Sequence, residues 1–440
     1  LKNFPSLGFQ IPDLLLPDKK IDLEKWAVIA CDQFTSQPEY WDQVAKIVGD
    51  APSTYHLILP EIFLGTPEES SRVLSTQKKM REYLSSDILV SHQGMVFVER
   101  TIGGKTRRGL MVALDLEQYN FSIGSQSLIR ATEGTIVDRL PPRIRIRQNA
   151  SLEIPHILVL IDDPDDMIFS LLERVRSKLP VVYDFELMMS SGHLTGRSIS
   201  DPVLEKQIIE GFEKLSNTEV FSSKYGVEKK RPVLLFAVGD GNHSLATAKS
   251  IWEKIKPIVG MDHPARYALV EIENVHDKGL DFEPIHRVLF NVKTDPAQAM
   301  HKYYGLDIRF TPAKDMAEMV QLVKSTVPGT HRFGLVTNRG CQVVSVKNPK
   351  TNLPVSTLQG FLDEWVNSGW GGQIDYVHGD EVVYKLGSKI DNAGFYLAGI
   401  SKSDLFKTVL LDGALPRKTF SMGEAHEKRF YMEARKIVND

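Results

Sequence analysis

Gly239, Asp240, Gly241, Asn242, His243 and Ser244 follow directly on the apolar run Val233–Val238. Such a run patterns as a strand buried on both faces. The two glycines allow a turn without a Cβ penalty. Asn242 is expected to cap a helix whose apolar positions, Leu245, Ala246, Ala248, Ile251, Trp252 and Ile255, recur at helical spacing. Strand, turn and helix N-terminus form a corner that attracts anions, because free N–H groups and the positive end of the helix dipole face the turn. Gly239, Gly241, Asn242 and Ser244 are its candidate phosphate contacts. Asp240 is a candidate metal ligand or turn-orienting carboxylate, and His243 a candidate catalytic contact to the phosphate. The structural alternative is an ordinary capped corner with His243 covering the first turn. The corner lacks the third glycine of G-x-G-x-x-G and the Lys-Ser/Thr of a P-loop.

A second cluster precedes it. Arg143, Arg145 and Arg147 alternate with Ile144 and Ile146 after Pro141 and Pro142. Read as a strand, period two places all three guanidinium groups on one face, where they need carboxylates, phosphate or open water. A polyanion clamp and a solvated face are the two readings. Glu133 and Asp138 lie just upstream, and Glu133 is a candidate general base. Farther on, Glu283, His286 and Arg287 bring a carboxylate, an imidazole and a guanidinium together, suited to substrate clamping or to an ion pair holding a loop. His378 ends a strand-like run, and Lys418 lies in the basic loop Pro416–Thr419. Asp162, Asp163, Asp165 and Asp166 suggest either a divalent-metal site or the cap of the following helix, and capping fits better because no EF-hand spacing is present. Cys31 reads as a buried structural thiol rather than a reactive one.

These residues need a frame. With 440 residues, 42% hydrophobic and 25% charged, the chain has the composition of a soluble globular protein large enough for two or three domains. A net charge of −3 gives no reason to expect nucleic acid or an anionic membrane as partner. Two cysteines build no disulfide framework, and neither a signal peptide nor a membrane-length apolar run is visible, so a cytoplasmic protein is expected. Trp26–Cys31 is expected as a strand, Ser36 and Glu39 as a capping box opening a helix to Val48, and Gly103-Gly104 as a hairpin turn. Ser190–Gly196 reads as a loop, and Ser421 with Glu424 as a capping box opening a C-terminal helix to about Val438. The fold class is mixed α/β (α+β). Four segments are expected: a mixed α/β region over 1–130, the core with the phosphate turn over 131–294, an α+β insertion over 295–355, and a C-terminal part completing the core over 356–440.

No H-E-x-x-H, G-x-S-x-G, C-x-x-C or Walker A pattern occurs. Taken in order, Gly239–Ala248, Glu283–Val288, Ile374–His378 and Leu415–Thr419 resemble the family known as domain of unknown function 1015. The central motif is also similar to the phosphate-binding turn of ParB-like domains, a group including chromosome-partitioning proteins, sulfiredoxins and free-serine kinases. The nearest version reads Asp-Gly-His-His-Arg; Asp240, Gly241, His243 and Ala248 match the pattern, while Asn242 and Ser244 replace a His and an Arg. The resemblance implies a ParB/sulfiredoxin-like core that binds a nucleotide or pyrophosphate. It also implies transfer of a phosphoryl group from ATP, ADP or pyrophosphate, with Mg²⁺, to a small hydroxyl metabolite such as free L-serine. Arg143, Arg145, Arg147 or Lys418 would supply the charge of the missing Arg. Two alternatives remain: a ParB-like nucleotide switch without a small acceptor, and a metal-dependent hydrolase built on the Asp162–Asp166 cluster.

Overall fold

The computed structural model describes residues 2–370 and 372–439. It is a mixed α/β structure that divides into two compact units, Leu1–Asp281 with Gly423–Asp440, and Phe282–Met422.

The first unit is built on a large sheet. Its principal strands in chain order are β1 (Met95–Ile102), β2 (Lys105–Asp115), β3 (Ile129–Ala131), β4 (Leu158–Ile161), β5 (Val181–Glu186), β6 (His193–Ile199), β7 (Phe236–Asp240) and β8 (Tyr267–Asn274). They lie in the order β5-β6-β1-β2-β8-β4-β7-β3. Gly103 and Gly104 both take positive φ between β1 and β2, which makes the expected hairpin turn. Alternation then feeds two cores: Phe97, Val112, Val270 and Val159 face one apolar cluster, whereas Val98, Met111 and Leu269 face the other. The helices α1 (Leu140–Arg147) and α2 (Asn242–Val259) pack against each other beside the β7 end.

Several expectations change here. The segment Arg143–Arg147 is helical, not extended. Pro141 and Pro142 occupy the first turn of α1, where a missing N–H costs nothing. Helical spacing then turns Arg145 away from Arg143 and Arg147, so the three share no face. Trp26 ends a one-turn helix, and only Val28–Ile29 forms strand. The helix Pro38–Val48 starts at Gln37 with no side-chain cap, so the Ser36 box is absent. His193–Gly196 lies in β6 rather than in a loop, because it pairs with both β1 and β5.

The largest departure is the C-terminal segment. No long helix forms among its described residues; Glu424 and Glu427 box a single 3-10 turn, Phe430–Tyr431 pairs with Val28–Ile29, and Arg435–Lys436 pairs with Leu152–Glu153. Phe430, Tyr431, Met432, Glu433, Ala434 and Arg435 are all buried, so the segment has no solvent face for a helix to present.

Among the described residues, the second unit is a seven-stranded sheet with helices, including Pro354–Asn367 and Asp380–Gly387. The change of texture read near Asp295 falls inside this unit. Glu283, His286 and Arg287 lie within one strand, Phe282–Phe290, and not in a loop.

Candidate functional site

Three strand ends meet at one edge of the first sheet. β3 and β7 run parallel with Ala131 opposite Val238, so Glu133 and Asp240 each stand two residues beyond that pair. β4 runs antiparallel to β7, so its start, preceded by His156, lies at the same edge. Thr132 pins the arrangement by donating to the Val238 carbonyl at 2.6 Å. Between the pairs Leu158–Asp240 and Val159–Val238 the register slips, which leaves Gly239 as a bulge. Bulges re-aim the side chains that follow them, and here the next one is Asp240.

Gly241 is the N-cap of α2, with φ 78°, and a Cβ there would lie 3.0 Å from the Ile157 Cα. Both the left-handed backbone and the close approach require glycine. Asn242 is therefore the first helical residue rather than the cap; its amide donates to the Val238 carbonyl at 3.4 Å. Asp240 accepts from the Gly241 N–H at 3.0 Å and from Lys428 Nζ at 3.0 Å. Burial opposes its ionisation most strongly, but the Lys428 ammonium, together with His156 and the Gly241 N–H, outweighs it and holds the carboxyl below the usual carboxylate range. The Ile136 N–H donates to His243 Nε2 at 3.4 Å. Ser244 Oγ lies 3.0 Å from His156 Nε2.

Beside α2 opens a cavity of about 140 Å³, lined at its polar side by Cys31, Glu61, Arg143, His156, Ser244 and Tyr431. Arg147 also lines it, whereas Arg145 points elsewhere and is 55% exposed. Each arginine has its own carboxylate: Arg143 pairs with Glu61, Arg145 with Glu69 at 2.8 Å, and Arg147 with Glu153 at 2.5 Å. The three form no clamp. Burial pushes Glu61 up despite Arg143, and it pushes the Cys31 thiol up to about 12, which disfavours the thiolate.

Lys428 and His156 are the functional candidates that patterning missed. Lys428 reaches Asp240 because the buried C-terminal segment returns to the sheet. Arg429 bonds Glu271 and Glu433 at 2.6 Å each, and Arg435 bonds Glu153 at 2.7 Å. The one available signal was the density of charge in Arg429–Arg435, which resembles a solvated helix face.

Asp240 does not sit in a metal cage. Its oxygens are engaged by Lys428 and the turn, and among the described residues no group of three His, Cys, Asp or Glu side chains comes together. The acidic cluster does other work. Asp163 accepts from the Ile168 N–H at 3.2 Å, and Asp162 is bonded by Lys224 at 2.8 Å and His276 at 2.6 Å.

Glu283, His286, Arg287, His378 and Lys418 belong to the second unit, Phe282–Met422. His286 and Arg287 are fully buried there. The Leu397 N–H donates to His286 Nδ1 at 3.2 Å, and burial lowers the imidazole to about 4, against the pull of Asp380. Arg287 donates to the carbonyls of Ile285 and Arg417. Glu283, His378 and Lys418 are exposed.

A family described as "Protein of unknown function (DUF1015)" matches residues 15–365. No curated protein matches. Among solved structures, the chain is similar to a free serine kinase (E30A mutant) in complex with AMP, with 9% identity and a TM-score of 0.40, over 75% of this chain and 92% of that one. A conserved hypothetical protein from Pyrococcus furiosus shares 10% identity at TM-score 0.36, over 75% of this chain and 95% of that one. SbnI from Staphylococcus aureus shares 9% at 0.27, over 62% of this chain and 82% of that one. No helix among the described residues is long and apolar enough to cross a membrane.

Proposed function

We propose, for a chain that belongs to the DUF1015 family, a phosphotransferase acting on a small hydroxyl-bearing metabolite. The donor is a nucleotide (ATP or ADP) or pyrophosphate, and free L-serine is the first acceptor to test. The observation that carries this reading is the Asp240–Lys428 pair beside the opening turn of α2. A cation, oriented amides and a carboxylate then surround one point, which is what phosphoryl transfer demands of a protein.

In this reading Gly239, Gly241, Asn242 and Ser244 cradle the donor phosphate, and His243 touches it. Asp240 orients the turn and holds Lys428 where charge develops, in the role first given to the arginine row. Arg143 contributes from the cavity wall. Glu133, two residues past the end of β3 at the same edge of the sheet, takes the acceptor proton. Mg²⁺ enters bound to the donor phosphates, because Asp240 alone offers no cage. The motif similar to that of free-serine kinases supports serine as acceptor.

Phosphorus NMR of the protein with Mg²⁺, L-serine and, separately, ATP, ADP or pyrophosphate tests the proposal. A serine-dependent phosphomonoester signal is expected. Donor hydrolysis that ignores serine favours a nucleotide switch, and unchanged spectra in every tube overturn phosphotransfer to serine.

A further inference from the structure

Resting on the phosphotransferase reading, we propose that Ser244 carries the phosphoryl group as a phosphoserine between donor and acceptor, with His156 as its base. The geometry is a nucleophile, a base and an orienting group in series. Ser244 Oγ is 3.0 Å from His156 Nε2, and His156 Nδ1 is 2.9 Å from the Tyr431 hydroxyl. That hydroxyl also accepts the Cys31 N–H at 3.1 Å. A proton on Nδ1 donated to Tyr431 leaves Nε2 to accept the serine hydroxyl, the arrangement that activates a nucleophile. Burial holds the Tyr431 phenol well above its usual pKa, so it stays a neutral partner.

The ring cannot easily turn away. His156 is buried and stands edge-on to Tyr431, with centroids 5.5 Å apart. Ser244 also departs from its helix neighbours. Thr247 and Ser250 bond back to the carbonyls four residues earlier, at 2.7 and 2.8 Å, as hydroxyls in helices commonly do. Ser244 instead addresses the imidazole in the cavity, from the first turn of α2, where the donor phosphate is proposed to sit.

In the first step Ser244 Oγ attacks the terminal phosphorus. The new O–P bond forms as the bond to the leaving phosphate or nucleotide breaks with its electron pair, and the serine proton passes to His156 Nε2. In the second step the acceptor hydroxyl attacks the phosphoserine and gives its proton to Glu133. Ser244 Oγ leaves and recovers its proton from the imidazolium.

The test is acid-quenched mass spectrometry of the protein with Mg²⁺ and ATP, ADP or pyrophosphate alone, followed by a chase with L-serine. Phosphoserine at Ser244, discharged by the chase, is expected. Ser244→Ala should lose the label, and His156→Gln should slow labelling about 10²–10⁴-fold, with thermal melts confirming that both variants fold. Absence of label with every donor, or wild-type transfer by Ser244→Ala, overturns the covalent step. If serine is still phosphorylated in that case, the phosphotransferase reading survives; if no product forms either, both fall.

Discussion

Lys428 Nζ donates to Asp240 Oδ2 at 3.0 Å, joining residues 188 apart in sequence. Asp240 is 25% exposed and Lys428 11%, so water only partly screens the pair. Breaking one partner of a buried pair costs about 3–5 kcal/mol, and partial exposure places this one below that range. Asp240→Asn and Lys428→Met should each reduce phosphoryl transfer about 100-fold or more. Because the folded carboxyl lies below its unfolded value, the pair stabilises above about pH 4 and is lost as pH falls through the folded value. Urea titrations of wild type and Lys428→Met should therefore converge toward acid; a constant gap refutes the pairing.

Gly241→Ala should be costly in two ways. The left-handed backbone and the 3.0 Å approach to Ile157 together predict a loss of about 1–3 kcal/mol. Because the turn carries Asp240 and His243, transfer should fall further than the melting temperature alone explains. An active, normally stable Gly241→Ala protein would contradict the described turn.

Arg143 and Arg145 should separate cleanly. Arg145→Ala removes an exposed ion pair with Glu69, worth at most about 1 kcal/mol, and leaves activity unchanged. Arg143→Ala strips the cavity wall and strands Glu61, so both stability and transfer should drop. Equal effects in the two variants would revive a three-arginine clamp.

Glu273 should make stability pH-dependent near neutrality. Burial, reinforced by Glu271 and Asp277 and opposed by Arg107 and Arg429, pushes its carboxyl up to about 8. A folded value above the unfolded one means that its contribution is full below about pH 4 and is lost as pH rises through about 8. Melting temperatures from pH 5 to 9 should decline in wild type and flatten in Glu273→Gln. Parallel curves would place the dependence elsewhere.

The corner itself was legible in the sequence. An apolar run, two glycines and a helical repeat encode strand, turn and helix locally, and the structure places Asp240, Gly241 and His243 on them. Asn242 misled by one position, because the close approach of Ile157 makes Gly241 the cap. The arginine row misled through its period: Arg-Ile alternation suggests a strand, but paired prolines also open helices, and packing on α2 decided between the two. The C-terminal residues misled through their charge, which usually marks a water-facing helix and here marks buried ion pairs.

What the sequence determined is therefore the local chemistry of the corner, since turns, caps and periodicity act over a few residues. What only the tertiary structure decided is which distant groups complete it. Lys428 reaches Asp240 because Arg429 and Arg435 find Glu271 and Glu153 in the core. His156 reaches Ser244 because β4 runs antiparallel to β7. Such pairings depend on sheet order and on the desolvation of charge, and neither leaves a period in the chain.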